Sequence, residues 1–335
     1  MPIRVAVDAM GGDHAPSVVV QGALEALETD GSRLAVKLVG VEDDIRAELA
    51  KVGGEPDGIQ VVHAPEVIGM AESPSTALKT KAKSSIHVGI GAVKQGAADA
   101  FASAGNTGAV MATALFGLGR LPGVLRPALP GYLPTPSGTV IVLDVGANIE
   151  VRAEHLVQFA QMGSVFGAFY TGNENPSVAL VNVGEEPGKG TDLLKETYHQ
   201  LETTDGIRFI GNVEGRDILQ HAADICVCDG FVGNVVLKLA ESVATILPQM
   251  VRSEIGRQGL DPQQAQVVGG VLKGMLAPFD YQTFGGSPLL GIDGTVVVGH
   301  GGSSAKAIAQ MIRATADHVE QDVPGRIASA LAPSV

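Results

Sequence analysis

The 335-residue chain has no tryptophan, only 4% aromatic residues and two cysteines. So little aromatic surface leaves no stacking platform for the bases of a nucleic acid. Cations are scarce as well, with 23 Lys and Arg against 36 Asp and Glu and a formal net charge of -13. A phosphate-backbone binder needs a clustered positive excess, so the composition argues against nucleic acid as a partner. Cys226 and Cys228 alternate within the strand-like Asp224 to Asp229 and read as small buried hydrophobes. No charge-free apolar run approaches the roughly 18 residues of a membrane span. Asp8 and Asp13 fall where a signal peptide would need an apolar core, so the cytoplasm is the expected location.

What the chain does have is 45% apolar residues and 44 glycines, a composition suited to tight βα turns and small-residue helix packing. Strand-like runs recur at Ile3 to Val7, Leu34 to Val39, Ile59 to His63, Ala98 to Ser103, Val140 to Leu143, Val178 to Val183, Ile207 to Ile210, Ile225 to Cys228 and Thr295 to Val298. Helical periodicity lies between them, clearest in Glu154 to Tyr170 and Val235 to Val251. This rhythm predicts βαβ crossovers and a doubly wound, mostly parallel α/β/α sandwich. The Pro/Gly-rich stretch from Leu121 to Gly131 and on to Gly138 reads as a loop.

In such sheets ligands sit beyond the carboxyl ends of the strands, and several strand exits here are crowded with polar groups. The first, Asp8-Ala-Met-Gly11-Gly12-Asp13-His14, carries more than a turn and a helix cap require. The segment Ser103-Ala-Gly105-Asn106-Thr107-Gly108 offers neutral donors at a helix start, suited either to capping or to a phosphate that must stay nucleophilic. Lys189, within Gly184-Glu-Glu-Pro-Gly188-Lys189-Gly190, stands at a helix mouth without the spacing or the following Ser/Thr of a P-loop, so it suits either inorganic phosphate or a solvated helix-start lysine, and not nucleotide hydrolysis. Asp229-Gly-Phe-Val-Gly233-Asn234 enters another helix, and Asn234 reads as a cap or as an amide donor to a developing oxyanion. Asp144 to Asn148 and Gly299-His300-Gly-Gly302-Ser303-Ser304, followed by Lys306, complete the set. The histidines lack ligand spacing, and neither a metal nor a cofactor is expected.

The apolar positions Val267, Val268, Val271, Leu272, Met275, Leu276 and Phe279 line one helical face, for which core or dimer packing is the first expectation and contact with a membrane surface the second.

The segment Val5 to Pro16 resembles, nearly letter for letter, the opening signature of the bacterial phosphate acyltransferase family, which makes acyl phosphate for phospholipid synthesis. The resemblance continues through Ser103 to Ala109, Leu143 to Asn148, Glu154 to Phe159, Asp229 to Asn234 and Phe284 to Gly291, almost the whole chain. It implies an isocitrate-dehydrogenase-like fold in one unit, 1–335, with a helical protrusion at about 253–283. It also implies transfer of a long-chain acyl group from acyl carrier protein to inorganic phosphate by a homodimer near the membrane. The matching residues make Lys189 and Asn234 catalytic. Phosphate or substrate binding would fall to Asp8, Gly11, Gly12, Asp13, His14, Ser103, Gly105, Asn106, Thr107, Asp144, Asn148, Asp229, Ser303 and Ser304. Family members show His-Gly-Ser-Ser where this chain has an extra glycine, which leaves the two serine roles open. The alternatives are a short-chain phosphate acyltransferase, a decarboxylating dehydrogenase on a related fold, and a non-catalytic scaffold for lipid synthesis.

Overall fold

The computed structural model describes residues 1–279 and 284–332. Its parallel α/β/α architecture is the one the sequence predicts, but it is divided between two sheets. The first contains β1 (Ile3–Asp8), β2 (Leu34–Gly40), β3 (Ile59–His63) and β4 (Ala100–Ser103). The chain returns to this sheet near its end with β10 (Ser287–Pro288) and β11 (Thr295–Val298), giving the order β10-β11-β4-β1-β2-β3 with only β10 antiparallel. The second contains β5 (Pro130–Thr135), β6 (Gly138–Leu143), β7 (Ser177–Val181), β8 (Arg208–Val213) and β9 (Ile225–Val227), in the order β5-β6-β9-β7-β8.

β5 corrects the sequence reading, which took this Pro/Gly-rich stretch for a loop. It is an antiparallel edge strand, pairing Pro130 with Leu143 and Pro134 with Thr139. Proline has no N–H to donate, and an edge strand has one side on which no donor is needed. β10 was also missed, because two residues carry no periodicity to read.

Both faces of each sheet are covered, so the strands are apolar almost throughout. On the first sheet, α1 (Ser17–Asp30) and α11 (Ala305–Glu320) pack on one face, with α4 (Ser85–Lys94) and α5 (Thr107–Gly117) on the other. The shorter α2 (Glu42–Lys51) and α3 (Pro74–Thr80) flank them. On the second sheet, α6 (Ala153–Thr171), α7 (Asp192–Glu202) and α12 (Val323–Ala330) close one face. The start of α9 (Gly230–Gln258) and the single turn α8 (Gly215–Ile218) close the other.

Beyond its first turns α9 leaves the body and forms a hairpin with α10 (Pro262–Leu276), which ends in a 3-10 turn over Ala277–Phe279. The last part of the predicted protrusion, 280–283, lies outside the described residues. No residue of α10 is buried, which corrects the expectation of core packing for the Val267 to Phe279 face. Leu239, Val243, Ile246 and Met250 on α9, with Val267, Val271 and Met275 on α10, all stay at least half exposed. A two-helix hairpin covers only its inner faces. By length and composition α9 is apolar enough to cross a membrane, although Lys238 and Glu241 lie within it, paired at 2.7 Å.

Phe101 on β4 is fully buried between α4 and α5. Phe101→Ala is expected to cost about 3–5 kcal/mol of folding stability. Urea unfolding measures it, and a loss below about 1 kcal/mol would refute this packing.

Candidate active site

At the carboxyl edge of the first sheet, the turns after β1, β4 and β11 lie side by side because those strands are neighbours. Asp8 is buried at the end of β1, where it accepts the Ser103 hydroxyl at 2.7 Å and the Met10 N–H at 3.1 Å. Ser103 in turn accepts the Gly105 N–H at 3.0 Å. Gly11 fills the gap between these turns, where a Cβ would come within 2.5 Å of Asp8 Oδ2 and 2.7 Å of Gly105 N. The β11 turn joins the same assembly, since Gly299 N–H donates to the Ser103 carbonyl at 2.8 Å and Asp13 N–H to that of Gly301 at 2.8 Å.

Asp8 and Ser103 therefore lie beneath the site and hold its floor. Asn106 is likewise committed: its Oδ1 caps α5 at Ala109, and its amide donates to the carbonyls of Gly69, Met70 and Glu72. Capping, the alternative left open for this residue, uses the whole side chain. Thr107 next to it is exposed at the first position of α5. Gly12 and Gly105 shape the two turns, while Asp13 and His14 stand exposed at the rim.

The second sheet repeats this device. Asp144, after β6, is fully buried and accepts four hydrogen bonds, from the backbone of Leu129, Ala147 and Asn148 and from the Asn148 amide. Asn148 also donates to the Pro127 carbonyl at 2.8 Å. Both residues serve the turn, which receives the start of α9: Gly230 N–H donates to the Asn148 carbonyl at 2.7 Å, and a Cβ at Gly233 would collide with the Asp144 carbonyl. Asp229 caps α9 through Val232 N–H at 2.9 Å. Asn234, one turn further on, is exposed, and its amide has no hydrogen-bond partner among the described residues.

Between the two sheets lies a cavity of about 350 Å³. Leu129, Tyr132, Leu133, Leu237, Phe284 and Met311 contribute an apolar wall. Thr107, Asn234, His300 and Ser303 bring polar atoms to it, so the structure gathers three of the predicted site residues. The first residue of α5 and the turn that opens α11 both reach this space, and the free N–H groups and dipole of a helix start favour an anion. Ser303 donates its hydroxyl to the His300 carbonyl at 2.6 Å, and Ser304 caps α11 through Ala307 N–H.

Lys189 does not line the cavity. It sits in the turn after β7, on the same edge of the second sheet, half exposed and 3.8 Å from Glu186 Oε2. Two buried asparagines at strand ends that sequence reasoning missed hold this turn, Asn182 donating to the Lys189 carbonyl and Asn212 to that of Glu186. The apolar wall was also missed, for its residues come from separated segments with no shared motif. Lys238, paired with Glu241, is a cation in the wall that the sequence did not single out. Among the described residues no group of three or more His, Cys, Asp or Glu is placed to hold a metal ion.

An anion-favouring edge beside an apolar cavity, with the Asn234 amide on its lining, suits an α/β group-transfer enzyme. The chain belongs to the family described as Fatty acid synthesis protein, whose sequence model matches residues 3–326. It is 50% identical over 310 residues to the phosphate acyltransferase of Salinibacter ruber, covering 92% of each chain. It is 45% identical over 337 residues to that of Chlorobaculum parvum, covering 98% of this chain and 99% of the relative. The protein is an acyltransferase. Its fold is that of a phosphotransacetylase from Streptococcus pyogenes, with a TM-score of 0.64 at 18% identity over 96% of this chain and 94% of the other.

Burial raises the carboxyl of Asp8 above the ordinary range, outweighing the hydrogen bonds from Ser103 and the backbone that lower it. The folded state then holds the Asp8 proton more tightly than the unfolded chain does. This contribution to stability is complete below the ordinary carboxyl pKa and is lost as pH rises through the raised value. Asp8→Asn lacks it. The stability of the native protein relative to Asp8→Asn should accordingly fall as pH rises above the ordinary carboxyl value of about 4. Urea unfolding from that pH upward measures the difference, and a flat or rising one would refute the assignment.

Proposed function

We propose that the protein transfers a long-chain acyl group from the thioester of acyl carrier protein to inorganic phosphate, releasing free carrier and an acyl phosphate for phospholipid synthesis. The observation that carries this reading is the cavity itself, an apolar wall that suits a hydrocarbon chain meeting two helix starts that suit an anion. The names of the relatives, phosphate acyltransferase, supply the reaction.

In this reading phosphate sits against the starts of α5 and α11, with Thr107 at hydroxyl distance from it and the Asp8–Ser103 pair keeping the turns rigid below. A phosphate oxygen attacks the thioester carbonyl. The C–O bond forms, the carbonyl oxygen becomes an oxyanion, and the unpaired Asn234 amide donates to it. Collapse breaks the C–S bond, and the carrier thiolate leaves and takes up a proton. No covalent enzyme intermediate is needed, since positioning and charge stabilisation suffice. Lys189 offsets phosphate charge from the adjoining turn, a role that asks its long side chain to swing from Glu186 to the anion. The protein would work in the cytoplasm as a homodimer, with the exposed stripe of α9 covered by a second copy and the Val267 to Phe279 face of α10 in peripheral contact with the membrane.

Incubation with palmitoyl-acyl carrier protein and phosphate should release free carrier and, on hydroxylamine trapping, acyl phosphate. Turnover of acetyl-coenzyme A in place of the long-chain donor would favour the short-chain alternative and refute this one. Asn234→Ala should lower kcat by about 100- to 1000-fold with the fold intact, as for loss of an oxyanion donor. Lys189→Ala should mainly raise the KM for phosphate, and full activity in either variant would remove that residue from the mechanism.

A further inference from the structure

The apolar end of the main cavity is closed by an aromatic stack. Tyr132, on β5, lies with its ring 5.1 Å from that of Phe284 at 15° and 5.0 Å from that of Tyr170 at 21°. Tyr132 is only 9% exposed, held also by Phe166 at 6.4 Å. Behind this stack lies a second cavity of about 210 Å³, which shares Tyr132 and Phe284 with the first.

The two spaces differ in chemistry. Where the apolar side of the main cavity is walled by Leu129, Leu133, Leu237 and Met311, the second space adds Gln310, Asp317 and His318 to Phe169, Tyr170 and Ala314. Asp317 holds Arg33 at 2.7 Å, and His318 is buried with no hydrogen-bond partner for its Nδ1. Burial pushes the imidazole down to about 4, so it is neutral at physiological pH but still needs a polar neighbour.

We propose that the stacked rings of Tyr132 and Phe284 are the end wall of the acyl pocket and set the longest acyl chain the enzyme accepts. The proposal rests on the reading that the main cavity holds the acyl chain. Each methylene laid against the apolar wall strengthens binding by roughly fourfold. A chain that has reached the rings gains nothing from its next methylene, which must displace two packed aromatics or enter a space lined by polar groups. Acceptance therefore falls off at one length and does not rise indefinitely with hydrophobicity. Because there is empty volume behind the wall, removing a ring extends the pocket, and the direction of the effect is determined: truncation selects for longer chains.

The test is kcat/KM for acyl-acyl carrier protein donors of increasing even chain length, with phosphate saturating. The native enzyme should pass through a maximum and decline. Tyr132→Ala should move the maximum to longer chains and raise the ratio of the longest to the native-optimal donor by at least tenfold, mostly through KM. Tyr132→Phe keeps the ring and should leave the profile in place. Should Tyr132→Ala not fold, Phe284→Ala, at a less buried position, should give the same shift. An active native enzyme with an unmoved maximum in the folded variants would overturn the end-wall assignment and leave the acyl-transfer reading standing. No turnover of any donor by the native enzyme would overturn that reading and this inference with it.

Discussion

A buried aspartate at a strand end, satisfied by the N–H and O–H groups of the next turn, is the interaction on which the rest of the cleft depends. Asp8 ties the β1 turn to the β4 turn through Ser103, and Asp144 ties the β6 turn to the start of α9 through Asn148. Neither carboxylate reaches solvent, so each must be hydrogen-bonded, and each obtains its donors from backbone that would otherwise be free to move. Glycines at 11 and 233 let the facing segments approach within the distance these bonds need. The helices that start at the cavity are thereby aimed at it.

Such a floor is suited to an acidic protein that must hold an anion. With a net charge of -13 the long-range field repels phosphate, so attraction must be local. Helix starts, backbone N–H groups, a threonine hydroxyl and an asparagine amide supply it, the cation in the cavity wall, Lys238, being paired with Glu241, and the lysine of the predicted pair stays at the edge. A strongly paired phosphate would be a poor nucleophile, and neutral donors hold it less tightly than a buried ion pair would.

The second constraint is apolar surface that the fold does not cover. The α9 and α10 stripes are outside the core because the hairpin projects from the second sheet and, among the described residues, its two helices pack there mainly on each other. Inside the cleft the same chemistry is turned inward, and β5, α9 and the segment around Phe284 enclose a space that neither sheet could form alone.

Much of this was legible in the chain. The strand runs, the order of glycine-rich exits and the polar residues gathered at them follow from local pattern, because each βα turn writes its requirements into adjacent residues. The division into two sheets, the edge strand with its prolines, and the sinking of Asp8, Ser103, Asp144 and Asn148 beneath the surface were not legible. Nor was the apolar wall, whose residues lie between 129 and 311 in the sequence. These depend on which segments meet across long separations. The sequence by itself determined the family, the parallel α/β elements and the residues placed at the strand exits, since those are encoded in contiguous motifs. Only the tertiary structure decided which exit residues face the cavity and which are spent holding it in shape, because a side chain's free hydrogen-bonding capacity is what remains after its distant neighbours have been satisfied.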